Sequence, residues 1–220
     1  MKVLILQVFT DNIRDYADII FKHNKQWCER ESNLDIQFYH KTVGIDPNIS
    51  VIDDILLHPS WHKIVQGVKI FENEKFDYLW ILDADALLVG QRYQLDAHIK
   101  INRYKSVLVS RDWHPDFPEF NCGSMIFKND IVAKMFINAI LYHGLYINPY
   151  YQQNHGWEQN VFNHYAFCEQ GSNQRILKPF IADLEYGAIN SGQKKEESLL
   201  VWHLVGISNR VEVLKQYNYT

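Results

Sequence analysis

Residues 2–9, KVLILQVF, are apolar at almost every position, the pattern of a strand buried on both faces. Asp11 then stands as a helix N-cap, and Ile13, Tyr16, Ala17, Ile20, Asn24 and Trp27 recur at helical spacing, which predicts a βα unit. DIQFYHK (35–41) alternates with period two and predicts a second strand. Pro59 and Ser60 open a helix with Trp61, Ile64, Val65, Val68 and Phe71 on one side, followed by a central strand in DYLWILD (77–83). SVLVS (106–110) and GSMIF (123–127) predict two more strands, after which Asn129 caps a helix through Val132, Met135, Phe136, Ala139 and Tyr142. A further helix begins at GWEQNVF and stops at Gly171, and SLLVWHLVG leads as a last strand into a helix from Asn209.

Strands and helices alternate through the first half, so the pattern predicts an α/β fold with a mainly parallel sheet. The second half mixes strands with loops. At 220 residues the chain is expected to form a single domain, and 47% hydrophobic and 22% charged residues match a soluble globular protein. A net charge of −4 gives no concentrated positive surface for nucleic acid. The first apolar run is broken by Gln7 and Asp11, too short for a membrane span and unlike a signal peptide, so a cytoplasmic location is expected. Cys28, Cys122 and Cys168 have no CxxC spacing and are read as packing residues. Aromatic residues in DWHPDFPEF and NPYYQQNHGW suit carbohydrate faces, though rim packing explains them equally well.

The chemistry gathers at WILDADALL, where Asp83 and Asp85 flank Ala84 at the exit of a buried strand. Composition alone supplies about one Asp-x-Asp by chance, so position carries the signal. Ligands of open α/β sheets collect beyond the carboxyl ends of strands, and residues two apart share a face there. Two carboxylates beside a low-dielectric sheet repel unless a proton or a cation intervenes, and a divalent metal resolves the conflict. Capping of loop amides is the competing explanation.

A second element is VWHLVGIS, in which His203 ends an apolar strand and Gly206 follows three residues later. With WHKIVQGVKIF before the Asp pair, NCGSMIFKN after it and WEQNVF later, the ordered set resembles metal-dependent glycosyltransferases of the GT-A fold, most like family 34 and more distantly the glycogenin-type family 8. The resemblance covers residues 1–207. It implies one Rossmann-like GT-A domain with helices on both faces of the sheet and a smaller mixed sheet, residues 1–110 forming the nucleotide half and 111–220 the acceptor and metal-completing half. It further implies that Asp83, Asp85 and His203 hold Mn²⁺, with Mg²⁺ as the alternative, against the diphosphate of a UDP-sugar. Phe9, Thr10 and Asp11 would then address uracil and ribose, and Lys63, Ala84, Asn121, Gly123, Gln159 and Gly206 the rest of the donor. The acceptor would be a glycan or glycoprotein.

Two departures stand out. The lysine expected after the late Gly is replaced by Ser208, with Arg210 nearby as a substitute, and the acidic pair before Gln159 is reduced to Trp157 and Glu158. The stereochemical outcome therefore stays open. An inverting reaction needs a carboxylate base, for which Asp112 and Glu158 are candidates, whereas in a retaining one the leaving phosphate serves. Lys63 also reads as a solvated helix position, Asp11 as a cap, and Glu158 as an acidic first turn. Two alternatives remain: a haloacid-dehalogenase-like phosphohydrolase with Asp83 as nucleophile, and a carbohydrate-binding protein without activity. With no anchor expected, the chain suits a bacterial enzyme, or a module with which a large DNA virus builds capsid glycans in the host cytoplasm.

Overall fold

A six-stranded sheet forms the centre of the protein, in the order β2 (Gln37–Ile45), β1 (Lys2–Thr10), β3 (Tyr78–Leu82), β6 (Phe120–Lys128), β5 (Val107–Arg111) and β7 (Ile181–Leu184). The structure is a computed structural model that describes residues 1–46, 48, 55–112, 119–154, 156–167, 178–185, 187–191 and 200–219. β1 pairs in parallel with β2 and β3, β5 with β7, and β6 runs antiparallel to both its neighbours. The sheet is thus mainly parallel, as the alternation of elements predicts.

Period-two alternation along the central strands feeds two separate cores. Leu4, Leu6, Leu79 and Ile81 pack under α2 (His62–Asn73), α4 (Ile131–Tyr142) and α5 (Trp157–Phe167). Val3, Ile5, Tyr78, Trp80 and Leu82 face the other way, against Trp27 and Cys28 of α1 (Arg14–Glu31) and Leu95 and Ile99 of α3 (Arg92–Ile101). The smaller sheet joins β4 (Ala86–Leu88) antiparallel to β8 (Val201–His203), with a parallel bridge from Ser191 to Trp202. It takes one strand from each half of the chain. Leu204 and Leu214 of the closing helix α6 (Arg210–Gln216) and its approach pack with Leu87 and Trp202 on α1.

Several local expectations are corrected. Asp11 does not cap α1: it lies in a 3-10 turn, Asp11–Ile13, and its carboxylate pairs with Arg14 at 2.7 Å. The cap of α4 is Asp130, which accepts from the Ala133 N–H at 2.9 Å, while Asn129 donates to the Phe76 carbonyl. That helix buries Ala133, Phe136, Ile137, Ile140 and Leu141 and leaves Met135 and Tyr142 exposed. It is apolar nearly all round, so periodicity does not choose its face. Helix α3 and strand β4 are not predicted by the pattern: α3 has only two buried positions and β4 only three residues. Gly171, Cys168 and much of DWHPDFPEF lie outside the described residues. Cys28 and Cys122 are free and buried. Among the described residues no helix is long and apolar enough to cross a membrane.

One glycine fixes how α2 meets the turn after α4. A Cβ on Gly144 would lie 2.1 Å from Cη2 of Trp61, a fully buried ring whose N–H donates to the Tyr151 carbonyl at 2.8 Å. Gly144→Ala is therefore expected to lower stability by about 2 kcal/mol through overpacking. Urea unfolding checks this, and an unchanged midpoint would show that Trp61 moves aside at no cost.

Candidate functional site

The site is built on the turn that leaves β3. Its backbone is fixed from below by side chains that the sequence marks only as polar interruptions of apolar faces. Gln7 Nε2 donates to the carbonyls of Asp83 (2.8 Å) and Ala86 (3.1 Å). Asn24 donates to Gln7 Oε1 and the Ala86 carbonyl, and accepts from the Leu88 N–H. His40 Nε2 meets the same Gln7 oxygen at 2.8 Å, and burial pushes its pKa down to about 4, so it donates as a neutral ring. From the other side the Asp83 N–H donates to the Gly123 carbonyl at 2.9 Å.

Above this platform the two carboxylates divide their oxygens in the same way. Asp83 gives Oδ1 to Lys63 Nζ at 2.5 Å and turns Oδ2 toward His203 Nε2 at 3.5 Å. Asp85 gives Oδ2 to Arg210 Nη2 at 2.9 Å and Oδ1 to His203 Nε2 at 3.0 Å. Lys63 is buried inside α2, so its reading as a solvated position is wrong; besides Asp83 it holds Glu158 at 2.8 Å and the Cys122 carbonyl at 3.0 Å. Burial alone would lower the Lys63 pKa, but Asp83 and Glu158 outweigh it and raise it. Burial raises that of Glu158 against the pull of Lys63. Asp85 is held well below the usual carboxylate range, His203 and Arg210 overcoming its burial, and the same pairing raises His203.

His203 ends β8, and its ring packs against β6 in the space left where position 123 has no side chain. A Cβ on Gly123 would sit 2.3 Å from His203 Cε1 and 2.4 Å from Nδ1. Nδ1 therefore faces backbone, and Nε2 is the atom turned to the carboxylates.

A cavity of about 320 Å³ opens over this group, lined among others by Lys63, Asp83, Asp85, Asp112, Asn121, Glu158, Gln159 and His203. Sequence reasoning did not single out Ser60, Gly156 and Val205, which complete its wall. Trp157 stacks on His58 at 4.1 Å and holds φ at 30°, an uncommon backbone state for a bulky residue. Asn121 accepts from the Gly123 N–H and from Asn190, and Gln159 accepts from the Cys122 N–H. A second cavity, of about 590 Å³, lies at the exit of β1 and is lined by Thr10, Asp11, Asn12 and Arg14 with the end of β2 and residues beyond it. Phe9, Ala84 and Gly206 line neither. The Phe9 ring packs on Phe21 beneath Arg14, Ala84 joins the apolar cluster around Trp202, and Gly206 occupies an open turn at φ 73°.

The donor set fits a small divalent cation. One ligand atom from each of Asp83, Asp85 and His203 lies within 4.8 Å of the others, and adjacent ligands of an octahedral ion of Mg²⁺ size stand about 3 Å apart, close to the spacings between His203 and each carboxylate. Two oxygens with one imidazole nitrogen suit Mn²⁺.

No protein-family model matches the chain, and no curated protein matches it in sequence. Solved structures do match in shape. A glycosyltransferase involved in the glycosylation of the major capsid of PBCV-1 superposes with a TM-score of 0.65 over 98% of this chain and 100% of its own, at 13% identity. This is the GT-A-type glycosyltransferase fold. The apo form of GlyE from Streptococcus pneumoniae TIGR4 gives a TM-score of 0.60 at 11% identity, over 97% of this chain, which spans 59% of that one. Galactosyltransferase LgtC, solved with donor and acceptor sugar analogs, gives 0.53 at 11% identity over 93% of this chain and 87% of its own. Within the GT-A fold of this chain, the Asp pair leaves β3 where β6 and β8 converge on it.

The Lys63 contacts generate a stability test. Lys63→Met leaves Glu158 buried and Asp83 half-buried without their counter-charge, and is expected to cost about 3 kcal/mol. Adding Glu158→Gln to that variant is expected to recover part of the loss in denaturant unfolding. With Glu158→Gln alone completing the cycle, a double-variant loss equal to the sum of the two single losses would show that the two side chains are not coupled.

Proposed function

We propose that the protein is a metal-dependent glycosyltransferase that moves a sugar from a UDP-sugar to a hydroxyl of a glycan or glycoprotein. The observation that carries this is the Asp83, Asp85 and His203 donor set, opening into a cavity at the strand exits of a GT-A fold. A bound Mn²⁺, or Mg²⁺ in its place, would supply Lewis-acid stabilisation of the departing diphosphate. The chain's own groups divide the remaining work. Thr10 and Asp11, in the cavity at the end of β1, receive the nucleoside, so residues 1–110 form the nucleotide half. Asp83 faces the nucleotide side and Asp85 is the direct ligand.

Residues 111–220 complete the metal site through His203 and receive the sugars. Glu158 turns one oxygen to Lys63 and keeps Oε2 without a hydrogen-bond partner among the described residues, a buried acceptor suited to a donor-sugar hydroxyl. Asp112, which accepts from Asn121 and lines the cavity, would take the acceptor proton if the reaction inverts. Trp157 lines the cavity with its ring stacked on His58, an aromatic wall of the kind that contacts sugars. A glycoprotein acceptor has some support from the capsid-glycosylating neighbour, whose full length this chain matches.

Titration calorimetry tests the reading: UDP is expected to bind in the presence of Mn²⁺ and to lose at least about tenfold in affinity when the metal is chelated. Asp85→Asn is expected to abolish the metal-dependent part while leaving the unfolding transition in place. Equal UDP binding with and without metal, or full retention in Asp85→Asn, would refute the assignment.

A further inference from the structure

We infer that Arg210 is the counter-ion that keeps Asp85 from taking a cation by itself, and that a nucleoside diphosphate draws Arg210 off, so that cation and diphosphate enter this site together. The inference rests on the donor site proposed above and concerns the order in which that site fills.

Both oxygens of Asp85 have partners. Arg210 directs Nε (3.2 Å) and Nη2 (2.9 Å) at Oδ2, and His203 Nε2 lies 3.0 Å from Oδ1. A cation that joins Asp85 meets a carboxylate already neutralised, with a guanidinium charge a few ångströms away. Like charges at that range repel strongly even at the effective dielectric of a protein surface, roughly 20.

The two cationic side chains of the site are mounted differently. Lys63 is 6% exposed and bonds three groups, at the exit of β3, on β6 and on α5, so it is fixed. The Arg210 side chain is 24% exposed, and among the described residues it meets the Asp85 carboxylate and the face of Tyr16 at 5.0 Å. Releasing it breaks its paired hydrogen bonds to Asp85, a carboxylate 14% exposed, and the contact with the Tyr16 face, whereas releasing Lys63 would uncouple three elements. Its backbone begins α6 four residues after Gly206, which holds φ at 73° next to Val205 on the cavity wall. A planar guanidinium matches phosphate oxygens as well as it matches a carboxylate. Once the cation joins Asp85 it compensates that carboxylate, whereas a diphosphate carries more than one negative charge and keeps oxygens free of the cation, so Arg210 gains by moving onto it. Linkage then requires that cation and diphosphate strengthen each other's binding equally.

The test titrates Mn²⁺ into the full chain, reading free Mn²⁺ by electron paramagnetic resonance, with and without UDP, in wild type, Arg210→Met and Arg210→Lys. Thermal unfolding verifies that each variant is folded. Wild type is expected to bind Mn²⁺ at least about tenfold more tightly with UDP than without. Arg210→Met is expected to bind Mn²⁺ alone more tightly than wild type, with the gain from UDP reduced at least about fivefold, while Arg210→Lys, which keeps the charge, retains most of the coupling. Tightening with the metal alone is not what loss of a purely structural contact gives. Wild-type coupling that persists unchanged in Arg210→Met, or metal binding by that variant no tighter than wild type, overturns this inference alone. A wild type that binds Mn²⁺ and never UDP overturns the donor reading and this inference with it.

Discussion

The buried ammonium of Lys63 ties together elements that share no sequence neighbourhood. Taking a lysine out of water costs several kcal/mol unless good partners remain, and here these are Asp83 at the exit of β3, Glu158 at the start of α5 and the Cys122 carbonyl in β6. Each can serve only if α2, the sheet and α5 keep one relative placement. The site and the fold are therefore stabilised by the same ion pairs, and a change that loosens one loosens the other.

That placement gives each carboxylate a division of labour. One oxygen of Asp83 faces Lys63 and one of Asp85 faces Arg210, which leaves the remaining pair turned to His203 Nε2. The backbone beneath cannot drift, because Gln7 of β1 and Asn24 of α1 hold its carbonyls, and the imidazole can lie on β6 only because residue 123 is glycine. Pre-organisation of this kind is what metal-assisted group transfer needs from a protein, since orientation is then settled before ligands arrive. The contrast between a fixed Lys63 and a solvent-edge Arg210 adds a movable charge to an otherwise rigid frame.

Much of the frame is legible in the sequence where a pattern is both periodic and bounded. Strands β1 and β3 read directly because they are buried on both faces, and α1 because its apolar stripe is interrupted on the far side. The face of α4 does not read, since a helix that is apolar nearly all round carries no phase information. Asp83, Asp85 and His203 are found from order along the chain, but the role of Lys63 is not. Its second carboxylate lies in a helix far along the sequence, and nothing local separates a lysine that turns inward from one in solvent. Gln7 and Asn24 leave a fainter trace, a lone amide in an apolar run, which signals a buried polar network without naming its partner. Arg210 reads from sequence as the replacement for a missing lysine; its grip on Asp85 becomes visible only in three dimensions.

Everything functional turns on whether a cation occupies the space between Asp83, Asp85 and His203 when a uridine diphosphate is bound. Crystals grown with Mn²⁺ and UDP, with data collected near the manganese absorption edge, address this directly. The expected result is one anomalous peak within bonding distance of an Asp85 oxygen and His203 Nε2, beside the diphosphate. Bound UDP with no anomalous peak there, or a peak ligated by other residues, would contradict the metal-site assignment.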